Sequence, residues 1–282
     1  MFTGYNLKAN EYGQIDFWRY EELGREHLAG QKVEFERRIE DYVLNGVADG
    51  TQIEKDWFPM IEADIFISHS HSDERLANGI AGWLNAEFGL KCFIDSCVWN
   101  YSDDLLEKIN SEFSNKRKDP NGGYLYDHKK CNVASKHVNT MLSVALQKMI
   151  DKTEVTILLN TKNSISNYGD VYQDATYSPW IYSEIICTQI VRKKPLSEYR
   201  KNIWKSTFEH AEMRGDSKGY SAAYEVSLDH LSILNEEKLL QWVKQYKERK
   251  IQYPLDYLYK ISNPDAMKKW QDLYDVYDII SD

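Results

Sequence analysis

The chain has 282 residues, of which 42% are hydrophobic, enough for one large domain with its own core. Forty-four acids against 35 bases give a net charge of −9, which argues against unspecific nucleic-acid binding and against attraction to acidic lipid. Four cysteines without a CxxC pair, no signal peptide and no apolar run of about 18 residues make a reducing cytosol the simplest expected address.

Residues 1–60 read as a helical leader. Glu21 to Val43 has helix-forming composition, and the Asn45-Gly46 and Asp49-Gly50 pairs mark turns. At Asp64 the texture changes. Asp64-Ile65-Phe66-Ile67-Ser68 is a short β-branched apolar run, the pattern of a buried strand. A polar loop, HSHSD, leads into a helix with Leu76, Ile80, Trp83, Leu84 and Phe88 at helical spacing, closed by Gly89. Leu90 to Ile94 is a second strand ending at Asp95. Asp104 to Phe113 reads as helix, residues 114–131 as an exposed polar insertion, and Val133 to Ile150 as helix again. Glu154 to Leu159 is a third strand, and Asn160 to Tyr177 a loop.

Ser178 and Pro179 then open another helix, serine as the cap and proline where no N–H is needed. From Tyr177 to Val191 the only charged side chain is Glu184, on one stripe with Trp180, Cys187 and Val191. A carboxylate there is costly to bury unless it has a structural partner or lines a pocket. Ala222 to Leu228 is a candidate fourth strand, and Asn235 to Tyr246 and Pro264 to Ile280 read as helices. The resulting division is a leader over 1–60, a domain over 61–247 and a helical C-terminal extension over 248–282. The β-α-β alternation predicts an α/β, doubly wound, flavodoxin-like parallel sheet, whose ligands bind outside the carboxyl ends of the strands.

His69-x-His71-x-Asp73 resembles the metal-binding run of the metallo-β-lactamase fold, but Glu74 stands where that pattern has a further histidine. The other reading is a strand-end loop in which Ser70 or Ser72 caps the next helix, or which touches a ligand; we expect no metal. There is no GxGxxG, no Walker A loop and no GxSxG elbow, so neither a resident cofactor nor a serine nucleophile is expected. Cys97 and Cys187 lack an evident base and read as packing residues.

Three segments in order, DIFISHSHSDE at 64–74, LKCFID at 90–95, and TILLNTKNSI with SPWIYSEI at 156–165 and 178–185, resemble the Toll/interleukin-1 receptor (TIR) family. The matching positions are Asp64, Phe66, Ile67, Ser68 and Asp73, then Phe93 and Asp95, then Ser178, Trp180 and Glu184. The chain departs from the family in its longer second helical region and in the run after Val191, which lacks the usual fourth strand.

The resemblance to bacterial NAD⁺-consuming TIR proteins, including those of Thoeris antiviral systems, implies an NADase or ADP-ribosyl cyclase with Glu184 as the catalytic residue. NAD⁺ is then the substrate, and a separate effector protein reads a cyclic ADP-ribose-type product. Ser68, His69 and Ser70 are expected at phosphate or ribose. Asp95 and Trp99 are expected at the substrate or at a neighbouring subunit, since self-association is common in the family. Trp180 either stacks on a ring or packs. The alternatives are a non-enzymatic TIR adaptor and a metal-dependent hydrolase built on His69, His71 and Asp73.

Overall fold

The computed structural model describes residues 1–8, 13–31, 38–99, 102–120, 122–168, 172–199, 222–249 and 253–263. Five short runs pair into one sheet, all neighbours parallel. They are β1 (Thr3–Leu7), β2 (Ile65–Ser68), β3 (Cys92–Phe93), β4 (Val155–Leu159) and β5 (Ser232–Leu234), and their order across the sheet is β5-β1-β4-β2-β3. A parallel sheet is covered on both faces, so its inner strands need apolar residues on both sides. Every residue of β2 and β4 is buried, which is why IFIS and VTILL are apolar but for Ser68 and Thr156.

The described helices are α1 (Glu21–Ala29), α2 (Gly50–Trp57), α3 (Glu74–Phe88), α4 (Asp95–Val98), α5 (Ser102–Phe113), α6 (His128–Lys152), α7 (Pro179–Ile190), α8 (Leu196–Tyr199), α9 (Glu236–Arg249) and α10 (Pro254–Ser262). α3 ends as its sequence requires, with Gly89 in the left-handed region at φ 69°. None of the described helices is long and apolar enough to cross a membrane.

The leader is not only helical. β1 sits inside the sheet, with Tyr5 in register with Ile157 on one side and Ser232 on the other. Counted from β2, the order is compatible with a flavodoxin-like sheet in which β1 takes the place of the fourth strand. This accounts for the missing strand after Val191, where the short α8 stands instead. α1 also belongs to the core. A Cβ on Gly24 would lie 1.8 Å from the Asn78 carbonyl oxygen, so the α1 and α3 backbones touch.

The C-terminal helices close the same core. Trp242 of α9 stacks on Phe88 at 3.9 Å between ring centroids, and Tyr259 of α10 donates to buried Glu154 at 2.6 Å. The stretch expected as a fourth strand, Ala222 to Leu228, contributes only Tyr224–Glu225. That pair lies antiparallel to Tyr172–Thr176, which also pairs with Ser166–Tyr168, so the segment after β4 is more than a loop. The insertion after α5 forms an exposed hairpin of Arg117–Lys118 with Tyr124–Leu125. The helix expected over 264–280 lies outside the described residues.

Candidate active site at the carboxyl end of the sheet

α7 begins as its sequence dictates. Ser178 Oγ accepts from the Ile181 amide at 3.2 Å, and Pro179 occupies the first turn. The helix buries Ile181, Ile185 and Cys187, and with them Glu184, which is only 5% exposed. The carboxyl is not left alone: Ser68, the last residue of β2, donates its hydroxyl to Glu184 Oε2 at 2.6 Å. Burial pushes the Glu184 carboxyl well above the usual carboxylate range, the negative charge of Asp95 adds to this, and the Ser68 hydrogen bond opposes it. The resting site therefore favours a protonated Glu184.

His69 follows Ser68. Its two ring nitrogens are shielded from solvent and have no hydrogen-bond partner among the described residues. Burial lowers its pKa and keeps the ring neutral, against the opposing charges of Asp95, Glu74 and Asp73. An unpartnered buried imidazole costs stability and is uncommon outside functional sites. Asp95 opens α4 directly after β3, so its charge reaches both Glu184 and His69. Ser68, His69, Asp95 and Glu184 thus converge from two adjacent strand ends and one helix.

The neighbouring loops are tied together by Asp73. Its carboxylate accepts from Thr161 Oγ1 at 2.5 Å and from Asn163 Nδ2 at 2.7 Å, linking the turn after β2 to the turn after β4. Sequence reasoning misses Thr161 and Asn163, although T-x-N-S after a strand is a turn composition that such a clamp can use. Behind Glu184, Thr188 Oγ1 shares a 2.7 Å hydrogen bond with His230 Nε2, and the Thr156 hydroxyl is buried without a partner among the described residues. A void of about 10 Å³ lies between Ser68, Thr156, Glu184 and Thr188, room for about one water.

Other expectations fall differently. Trp99 is in the core. Its ring packs edge-on to Phe58 and Phe93, and its indole N–H donates to the Pro59 carbonyl at 2.8 Å, so it offers no face to a ligand or a subunit. Trp180 is partly buried and packs on the main core. Ser70 occupies the cap position of the turn His71–Asp73 without a side-chain cap bond. His71 is exposed, His69 is shielded and Asp73 is held by Thr161 and Asn163. Among the described residues no three His, Cys, Asp or Glu side chains gather as a metal-ligand set. Burial pushes the Cys187 thiol up to about 11, in keeping with a packing role. No family model, curated protein or solved structure matches this chain.

Proposed function

We propose that this chain cleaves the nicotinamide–ribose bond of NAD⁺, with Glu184 as the catalytic carboxylate. The observation that carries the reading is the buried Glu184 carboxyl, held by Ser68 at the carboxyl end of a parallel sheet beside the unpartnered His69. Such strand ends are where open α/β sheets bind ligands, and the sequence resemblance to TIR proteins names NAD⁺ among them.

The chemistry asks for one anion in a water-poor place. As the C1′–N bond breaks, its electron pair leaves with nicotinamide, which departs neutral, and positive charge develops on the ribose carbon. An ionised Glu184 stabilises that charge, and its apolar neighbours Ile181 and Ile185 keep the interaction strong. The cationic pyridinium of bound NAD⁺ offsets the desolvation that otherwise keeps Glu184 protonated. His69 is placed to hydrogen-bond ribose or phosphate once the site opens. Water capture of the ribosyl cation gives ADP-ribose and a proton. Attack by a nucleophile of the same molecule gives a cyclic product, which the dry surroundings favour.

The void of about 10 Å³ beside Glu184 cannot hold nicotinamide, so turnover requires the site to open. The same closure favours a second reading, a TIR adaptor that assembles without chemistry. Incubation with NAD⁺ and chromatography of the filtered products separates the two. Nicotinamide release that is lost in Glu184→Gln supports the enzyme, and the cyclic-to-linear ratio of ADP-ribose tells messenger from depletion. A well-folded protein that releases no nicotinamide at any concentration leaves the adaptor.

A further inference from the structure

A trough of about 570 Å³ lies on another part of the molecule, between the hairpin Val43–Ala48, α5 and α6. Its floor is Ile39 and Ile53, both buried. One wall is Ile109 and Phe113, one turn apart on α5; the other is Val133, Ala134, His137 and Met141, a single stripe along α6. Three exposed large apolar side chains, Val47, Phe113 and Val133, line it. Exposed apolar side chains grouped in this way mark interaction surfaces.

The charged side chains that line the trough are Lys129 and Lys130, with no acid among the lining residues. They belong to the run 114–137, which carries six bases and two acids, a net charge of +4 in a protein of −9, whereas α5 carries four acids and one base. Four lysines elsewhere pair with acids: Lys148 with Glu54, Lys152 with Glu62, Lys194 with Asp151 and Lys247 with Glu87. Among the described residues none of Lys116, Arg117, Lys118, Lys129, Lys130 or Lys136 forms an ion pair. Nearby Asp127 is used as the cap of α6, accepting from the Lys129 and Lys130 amides.

We propose that this trough is the docking site for an acidic amphipathic helix of a partner protein. Two helical walls with apolar residues one turn apart present the grooves into which a third helix packs its own i, i+3, i+4, i+7 stripe. Lys129 and Lys130 meet the acidic flank of that helix and steer its approach. A second copy of the chain related by a two-fold axis brings Lys129 and Lys130 of both copies face to face, which disfavours it. A nucleic acid gains little from an apolar trough walled by aliphatic side chains.

The test uses the full chain and a fluorescein-labelled peptide with leucines at i, i+3, i+4 and i+7 and glutamates between, followed by fluorescence anisotropy. The expected result is a dissociation constant on the order of 10 µM. It weakens about tenfold in Val133→Asp and in the double variant Lys129→Glu, Lys130→Glu, and weakens with added salt. These positions are exposed and glutamates suit the first turn of α6, so the variants fold. Absence of binding, equal binding of a scrambled peptide, or binding that the variants leave unchanged overturns the proposal. So does tighter binding of oligouridine or of phosphatidylserine vesicles that is lost in the same variants. Concentration-dependent self-association in sedimentation velocity, abolished by Val133→Asp, also overturns it in favour of a homo-oligomeric face.

Discussion

Ser68 and Glu184 are 116 positions apart in the chain, yet their side chains share a 2.6 Å hydrogen bond in which the hydroxyl donates and the carboxyl accepts. The bond favours the ionised acid, while burial and the charge of Asp95 favour the protonated one. The balance between them sets the pH range in which Glu184 can act as an anion.

Ser68→Ala removes the only one of these influences that lowers the Glu184 pKa. The rising limb of kcat/KM against pH, already above the ordinary carboxylate range, then moves to higher pH. At a fixed pH on that limb, activity falls about tenfold when the limb moves up by one pH unit, and it recovers toward alkaline pH. A pH profile of nicotinamide release checks this, and carbon NMR of the Glu184 carboxyl checks the pKa without turnover. A limb that stays in place shows that Ser68 does not control the acid.

Glu184→Gln is expected to stabilise the fold while abolishing cleavage. The folded-state pKa of Glu184 lies above its unfolded value, so its stabilising contribution is complete below about pH 4.5 and is lost as pH rises through the folded pKa. Glutamine never ionises and still accepts from Ser68. At neutral pH the variant is therefore the more stable of the two, and the gain vanishes near pH 4. Urea unfolding at the two pH values measures it. A variant that is less stable by the same amount at both values contradicts the raised pKa.

The parts of the fold written in local chemistry were legible. SPWIYSEI states its cap, its first turn and its lone acid in eight letters, and α7 follows them. β1 was not legible, because TGYNL has a glycine and an asparagine in five residues and little strand propensity. It becomes a strand by fitting between β4 and β5, a tertiary fact. Trp99 misled for the opposite reason. In DSCVWNYS it stands among polar neighbours and reads as exposed, but Phe58, contributed from before the domain, completes an aromatic pocket around it. The His69–Glu184–Asp95 cluster was half visible: each residue stood at a strand end or on the key helix, while the missing partners of the imidazole are a property of packing.

Gly24→Ala tests whether the leader is part of the core. The added methyl meets the Asn78 carbonyl oxygen at 1.8 Å, and a backbone atom cannot swing aside as a side chain can. α1 must move off α3, an overpacking cost of about 1–3 kcal/mol or more, against which alanine returns about 1 kcal/mol of helix propensity. A lowered midpoint in urea, with the slope unchanged, is the expected result. An unchanged midpoint means that α1 and α3 do not pack this closely.

His27, on α1, gives the fold an acid limit. Its Nε2 accepts the Cys92 amide of edge strand β3 at 3.2 Å, which a protonated ring cannot do. Burial, helped by the charge of Lys91, lowers its pKa to about 4. Below the ordinary histidine value of 6.5 the unfolded chain takes up a proton that the folded chain refuses. Stability from this residue is therefore complete above about pH 6.5 and drains away as pH falls toward 4, a loss of roughly 3 kcal/mol. His69, also lowered by burial, adds to the loss in the same direction. His27→Gln keeps an acceptor for Cys92 but has no proton to gain, so its stability curve flattens between about pH 6.5 and 4 relative to the parent. Denaturant unfolding of both proteins at about pH 7, 5.5 and 4.5 gives the comparison, and two parallel curves across that range rule out a neutral, buried His27 as the cause.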